Sequence, residues 1–197
     1  ECVPTLLAGG ALIERGEDWV NDPGVFLQAL QSRGVTVLNL PSAYFHLLMQ
    51  HLDDLGQTLP DCIRLVVIGS EKPTTWSVQR CLARHPRTRL LNADGPTEAT
   101  ITSMVCDLAA LHTRGDGWAD MPIGKPFGAC QAFLLDARQR LCPPGVLGEV
   151  CISGPQVALG YVHGTPADDA HFIQSPLDGS RAYLTGDLGR QRPDGQL

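Results

Sequence analysis

This sequence has no apolar run near the ~20 residues that a membrane-crossing helix needs. It also lacks the basic start and apolar middle of a secretory leader. Positive charge is scarce: Lys and Arg number 15 against 21 Asp and Glu, a formal net charge of -6. That balance excludes a surface built to hold nucleic acid or anionic lipid. The seven cysteines, at 2, 62, 81, 106, 130, 142 and 151, are odd in number and include no C-x-x-C pair. Neither a zinc cluster nor a disulfide framework is indicated, and most of them, among apolar neighbours, read as reduced core residues of a cytoplasmic protein. His46 and His51 lie five apart on a predicted helix, the wrong spacing to share a metal. There is no initiating methionine. The chain opens on Glu1-Cys2-Val3-Pro4, stops at Asp194-Gly195-Gln196-Leu197 in mid-pattern, and reads as a piece of a longer polypeptide.

What is present is 197 residues, enough to bury a sizeable core. Helical and strand signals alternate through the first half. Ala11-Leu12-Ile13 reads as a short strand. Asp22-Pro23 starts a helix with apolar positions Val25, Phe26 and Leu30 and a stop at Gly34. Val35 to Leu40 is a β-branched run ending at Pro41, after which Ser42 is expected to cap a helix carrying Phe45, Leu47, Leu48 and Leu52. Arg64 to Ile68 is a further strand, closed by Gly69-Ser70. Pro73 sits where the next helix begins, with Trp76, Val78 and Leu82 on its apolar face. Thr88-Arg89-Leu90-Leu91 then forms a buried strand. Strand and helix in alternation predict a parallel sheet with crossover helices, over residues 1–108.

Past residue 108 the character changes. Leu111 to Pro122 is polar and reads as a connection. Gln131–Leu135 and Gly148–Ser153 are strand-like, with Pro143-Pro144-Gly145 turning between them. Residues 109–197 are expected to form a small β-rich lobe.

One stretch stands out: Leu91-Asn92-Ala93-Asp94-Gly95-Pro96-Thr97-Glu98-Ala99-Thr100. It places a hydroxyl, Thr97, and a carboxylate, Glu98, on a turn at the carboxyl end of a strand, the edge where open α/β sheets bind ligands. The hydroxyl can donate to a phosphate oxygen, and the carboxylate is a hard oxygen ligand for magnesium. A capped turn is the competing reading of those residues alone. Tyr183-Leu184-Thr185-Gly186-Asp187 puts another carboxylate after a glycine bend, where it can accept from two neighbouring hydroxyls, as on a ribose.

These motifs together resemble the adenylation domains of nonribosomal peptide synthetases, within the adenylate-forming ligase superfamily. Asn92 to Glu98 resembles N-x-Y-G-P-T-E. Gly148 to Gly154, continuing to Ala158-Leu159-Gly160-Tyr161, resembles G-E-L-x-I-x-G-x-G-x-A-R-G-Y. Tyr183 to Leu188 resembles Y-R-T-G-D-L, Ile123-Gly124-Lys125-Pro126 resembles I-G-x-P, and Gly69-Ser70-Glu71 resembles G-G-E. The matches run in the family's order across nearly the whole chain, which is specific where each alone is weak.

The resemblance implies part of the large N-terminal core of such an enzyme, with the second lobe a distorted barrel. It implies that an amino-acid carboxylate attacks the α-phosphate of ATP with Mg2+, giving an aminoacyl adenylate. The acyl group then passes to the phosphopantetheine thiol of a peptidyl carrier domain, expected in the same polypeptide. By the same resemblance Thr97 contacts phosphate, Glu98 holds magnesium and Asp187 binds the ribose. Asn92 and Asp94 lie at the adenine, walled by Gly69, Ser70 and Glu71. Asn39, Val66, Ile68, Ala93, Ile101 and Thr102 surround the amino-acid side chain, and their lack of charge implies an uncharged substrate of modest size. Asp94 departs from the family by replacing an aromatic, Leu159 replaces an arginine, and Leu184 replaces a basic residue. The sequence contains neither a glycine- and hydroxyl-rich phosphate loop followed by lysine nor a lid with its catalytic lysine, so the 197 residues alone are expected to be inactive. An acyl- or aryl-CoA ligase of the same superfamily and a degenerate, non-catalytic scaffold are the competing readings.

Overall fold

The alternation of apolar strands with amphipathic helices produces two sheets, of which the first is built around a parallel core. In the computed structural model, which describes residues 2–16, 18–113 and 121–197, three helices come first: α1 (Cys2–Leu7), α2 (Asp18–Asn21) and α3 (Pro23–Ser32). Then follow β1 (Val37–Pro41), α4 (Ser42–Asp54), β2 (Leu65–Gly69), α5 (Thr75–Arg84) and β3 (Arg89–Asp94). A 3₁₀ turn over Thr97–Ala99 leads to β4 (Met104–Asp107), α6 (Leu108–Thr113) and β5 (Lys125–Pro126). The remainder is β6 (Gln131–Leu135), β7 (Leu147–Ser153), α7 (Pro166–Asp169), β8 (Phe172–Gln174) and β9 (Arg181–Arg190).

The first sheet has the order β1-β2-β3-β4-β5. Its first three strands are parallel, in a register that aligns Leu40 with Ile68 and Ile68 with Asn92. Each parallel step needs a crossover, and α4 and α5 supply them. β4 and β5 add antiparallel, so the sheet draws on residues beyond 108. Leu38, Leu40, Val66, Ile68 and Leu90, alternate residues of the strands, join one core with Phe26 and Leu30 of α3, Phe45 and Leu48 of α4, Val78 of α5 and Leu108 of α6. Each such side chain, taken fully out of water, contributes about 1.5–3 kcal/mol. The opposite face carries Val37, Asn39, Leu65, Val67, Leu91 and Ala93, which are half-buried or exposed. All the helices of that core pack on one side.

The helix ends show which local signals hold. Asp22 accepts from Gly24 N at 2.7 Å and Val25 N at 3.2 Å, the cap expected for α3. Ser42 is not a cap: it is the first residue of α4, and its hydroxyl donates 3.1 Å to the Gly69 carbonyl. Trp76 is 41% exposed, edge-on to His46, because Ser77, Val78, Cys81 and Leu82 take the buried face of α5. Ala11-Leu12-Ile13 forms no strand and lies exposed. The expected connection over 111–122 begins inside α6, where Leu111 is buried, and its residues 114–120 lie outside the described residues.

The second sheet has the order β6-β7-β9-β8, antiparallel throughout. It is an open sheet and not a barrel; among the described residues no pairing joins β6 to β8. Phe133, Leu135, Cys151 and Ala182 cluster on one face, and Leu134, Val150 and Ile152 on the other. Ala99 of the 3₁₀ turn joins the latter cluster, tying the end of β3 to the second sheet. All seven cysteines are free thiols. Burial pushes Cys81, Cys106 and Cys151 up to about 12, which leaves them inert as nucleophiles.

Candidate functional site

The Thr97–Glu98 corner is a rigid piece of backbone. At Gly95 an added Cβ would lie 2.4 Å from the Ile101 carbonyl oxygen and 2.7 Å from Ser103 N, so the loop closes on itself only with glycine there. Pro96 O accepts from Ala99 N at 3.0 Å and Ile101 N at 3.2 Å, and Thr97 O accepts from Thr100 N at 3.1 Å. The chain leaves through Thr100 and Ile101 at φ of 60° and 66°. Two β-branched residues in left-handed backbone cost about 1–3 kcal/mol each. The surroundings offset this: Thr100 Oγ1 donates 2.7 Å to the Gln156 carbonyl, and Ala99 is fully buried. Thr97 is left exposed, with Glu98 beside it.

Glu98 is held by residues far along the chain. Tyr161 Oη donates to its Oε1 at 2.5 Å, and the Tyr161 and Tyr183 hydroxyls are 3.0 Å apart. Ala158 N donates 2.7 Å to the Glu98 carbonyl. The Tyr161 hydroxyl holds the Glu98 carboxyl below its ordinary range; backbone, Tyr183 and His171 add to this against the opposing effect of burial. The same bond raises the Tyr161 phenol. Under the hydroxyls lies an aromatic cluster, Phe172 packing 5.5 Å from Tyr161 and 5.1 Å from Tyr183.

Asp187 reaches the same region from β9. The strand bends at Gly186 (φ 79°), where Gly186 N donates 3.0 Å to Glu149 Oε1, beside a register shift between Glu149 and Cys151. Thr185 Oγ1 donates 2.9 Å to the Val150 carbonyl and accepts from Asp187 N at 3.1 Å. The Asp187 carboxylate is left exposed. Asp94, at the end of β3, has its carboxyl pushed up by burial and then by the negative charge of Asp187. Tyr183, raised chiefly by burial, feels both Glu98 and Asp187. The corner after β3 and strand β9, which nothing local connects, therefore meet through the Tyr161 and Tyr183 hydroxyls, with the Asp187 bend four residues further along the same strand.

The other predicted residues take varied positions. Asn92 is buried, on the same side of β3 as Asp94, and its Nδ2 donates 3.1 Å to the Pro122 carbonyl. Gly69 stands where a Cβ would lie 2.4 Å from the Ala93 carbonyl, and Ser70 has φ 73°. Glu71 caps a helix: its Oε1 accepts 3.1 Å from Ala43 N at the start of α4, supplying the acceptor that Ser42 does not. Glu71→Ala is accordingly expected to lower stability by about 1 kcal/mol, read as a fall in the denaturant midpoint at constant slope; an unmoved midpoint refutes the cap. Among the expected pocket residues, Val66 and Ile68 are core side chains beneath the helices, whereas Asn39 and Ala93 lie on the opposite face of the sheet. Ile101 is 68% exposed and Thr102 half-buried. The structure thus does not bring these six together within the described chain. Sequence reasoning assigned no role to Tyr161, Tyr183 or Arg181. The two tyrosines stood inside quoted motifs, but nothing local indicated that their hydroxyls meet Glu98.

Among the described residues no group of three His, Cys, Asp or Glu side chains could hold a metal. A lone carboxylate beside a hydroxyl suits Mg2+, which takes one or two protein carboxylates and completes its shell with water and substrate phosphate.

The profile of the family described as AMP-binding enzyme matches residues 1–162. An isonitrile lipopeptide synthase of Streptomyces coeruleorubidus is 37% identical over 198 residues, 98% of this chain and 12% of that protein. PA1221, an NRPS protein containing adenylation and PCP domains, has a solved structure that aligns with TM-score 0.79 at 31% identity, over 89% of this chain and 35% of that one. The NRPS FmoA3, in its AMPPNP-bound form, aligns with TM-score 0.79 at 29% identity, over 89% of this chain and 19% of its own. The chain thus spans a minor part of each of these three proteins.

Proposed function

Since this chain belongs to the AMP-binding enzyme family, among the adenylation domains of nonribosomal peptide synthetases, we propose that it is the central part of an amino-acid adenylation domain. In the full-length protein it activates an amino acid with MgATP to the aminoacyl adenylate and delivers the acyl group to a carrier-domain phosphopantetheine in the cytoplasm. The observation that carries this reading is that the Glu98 carboxylate of the Thr97–Glu98 corner is bonded to Tyr161, whose hydroxyl meets that of Tyr183 on β9, the strand that bends to present Asp187. Thr97 is the hydroxyl toward phosphate, Glu98 the carboxylate that holds magnesium, and Asp187 the acceptor for the ribose. Asn92, Asp94 and the Gly69–Glu71 turn lie toward the base, with the Asn92 amide already braced on Pro122. Magnesium, when bound, would neutralise phosphate charge. The chain's own contribution is orientation, because a pre-positioned carboxylate and hydroxyl need no reorganisation during reaction. Asn39, Ala93, Ile101 and Thr102 are uncharged and accessible, which supports an uncharged substrate side chain, whereas Val66 and Ile68 belong to the core on the helix side of the sheet. The two subdomains divide near residue 108, with β5 contributed to the first sheet from the far side of that boundary.

Amino-acid-dependent exchange of labelled pyrophosphate into ATP tests the reading. The full-length protein is expected to exchange with at least one uncharged amino acid, and the 197-residue chain with none. Absence of exchange across all amino acids refutes the assignment. A non-catalytic scaffold has one observation in its favour, a carboxyl at Asp94 that burial and the charge of Asp187 raise, and calorimetry showing no ATP affinity in the full-length protein would establish it.

A further inference from the structure

The backbone of the Glu98 corner is fixed by its own turn bonds, yet its carboxylate accepts from a tyrosine 63 residues away in sequence. The loop carrying that tyrosine, residues 154–161, is itself clamped. Arg181 Nε donates 2.7 Å to the Ala158 carbonyl and Nη2 donates 2.5 Å to the Leu159 carbonyl. The Arg181 guanidinium lies 4.7 Å over the Phe172 ring, which meets Tyr161 edge-on at 5.5 Å. The loop returns two contacts to the corner besides the tyrosine bond, from Ala158 N to the Glu98 carbonyl at 2.7 Å and from Thr100 Oγ1 to the Gln156 carbonyl at 2.7 Å.

We propose that Tyr161 is the positioning residue for the Glu98 carboxylate, and that Arg181 holds it in place by clamping the loop that carries it. The inference rests on the reading of Glu98 as the magnesium-holding carboxylate. A carboxylate on an exposed side chain explores several rotamers; a phenol fixed on a packed ring selects one, so the ligand is oriented before the ion arrives. Tyr161→Phe keeps the ring against Phe172 and removes only the hydroxyl. Arg181→Lys keeps the charge but cannot span two carbonyls and stack on the ring as a planar fork does.

The test is Mn2+ binding to the full-length protein with AMPPNP, followed by electron paramagnetic resonance, alongside calorimetry of AMPPNP alone and a thermal melt. Loss of a partner that orients a metal ligand costs about 10-fold or more in metal affinity. Tyr161→Phe is expected to weaken Mn2+ at least about 10-fold, and Arg181→Lys less, while metal-free AMPPNP affinity and melting temperature hold. Glu98→Gln serves as the reference. If Glu98→Gln weakens Mn2+ and both loop variants bind it like wild type, the positioning role is overturned and the metal role of Glu98 stands. If Glu98→Gln itself binds Mn2+ normally, the metal role falls and the positioning role falls with it. A Tyr161→Phe protein that binds both Mn2+ and metal-free AMPPNP poorly also overturns it, since the effect is then one of general structure.

Discussion

Glu98→Gln in the full-length protein is expected to lower amino-acid-dependent ATP–pyrophosphate exchange by about 10²–10³-fold, the usual cost of removing one pre-organised electrostatic group from a site. The substitution isolates charge. A glutamine keeps a carbonyl oxygen that can accept from Tyr161 Oη, now 2.5 Å from Oε1, so the corner should keep its shape. Ala99 stays in the second sheet's core and the left-handed step through Thr100 and Ile101 is untouched. What is lost is the anion that Tyr161 and its neighbours hold ionised. The deficit should fall mainly on kcat and be relieved in part by excess Mg2+, because an ion bound weakly is recovered by mass action. Exchange within twofold of wild type at ordinary Mg2+ would remove Glu98 from the chemistry.

Asp187→Asn is expected to weaken ATP binding by about 10- to 150-fold, because a charge-assisted hydrogen bond contributes roughly 1.5–3 kcal/mol. The bend that carries this residue is built from other groups, Gly186 on Glu149 and Thr185 on Val150, so the fold should tolerate the change. Asp94 is raised in part by the charge of Asp187; removing that charge lets Asp94 ionise more readily. The control is 2′,3′-dideoxy-ATP, which has no ribose hydroxyls to offer. The Asp187→Asn variant should lose most of the wild-type preference for ATP over the dideoxy nucleotide. An equal penalty on both nucleotides would mean that Asp187 acts on phosphate or on folding, and the ribose role would fail.

The elements that read correctly in the sequence share a cause. The α3 start at Asp22 and Pro23, the parallel strands from 37, 65 and 89, and the turn at Pro143 to Gly145 each depend on residues within a few positions of one another. Caps, φ restrictions and hydrophobic period act at that range, so the chain states them openly. Misreadings arose where the partner was distant. Ser42 has the right chemistry for a cap, but a distant carboxylate, Glu71, took the position by accepting from Ala43 N, and the serine turned to the Gly69 carbonyl instead. Ala11 to Ile13 has the composition of a strand but no neighbouring strand to pair with among the described residues.

By itself, then, the order of residues determined the α/β architecture, the family and the identity of the chemical groups at the corner, because motifs and periodicity are local or additive along the chain. Tertiary structure alone decided which groups meet. It set Val66 and Ile68 in the core and Asn39 and Ala93 on the other face. It also brought Tyr161 to Glu98 and Glu71 to the start of α4. The physical reason is that strand register and the docking of one sheet on another are set by burying side chains from distant segments together, and a hydroxyl carries no mark of which carboxylate that packing will place before it.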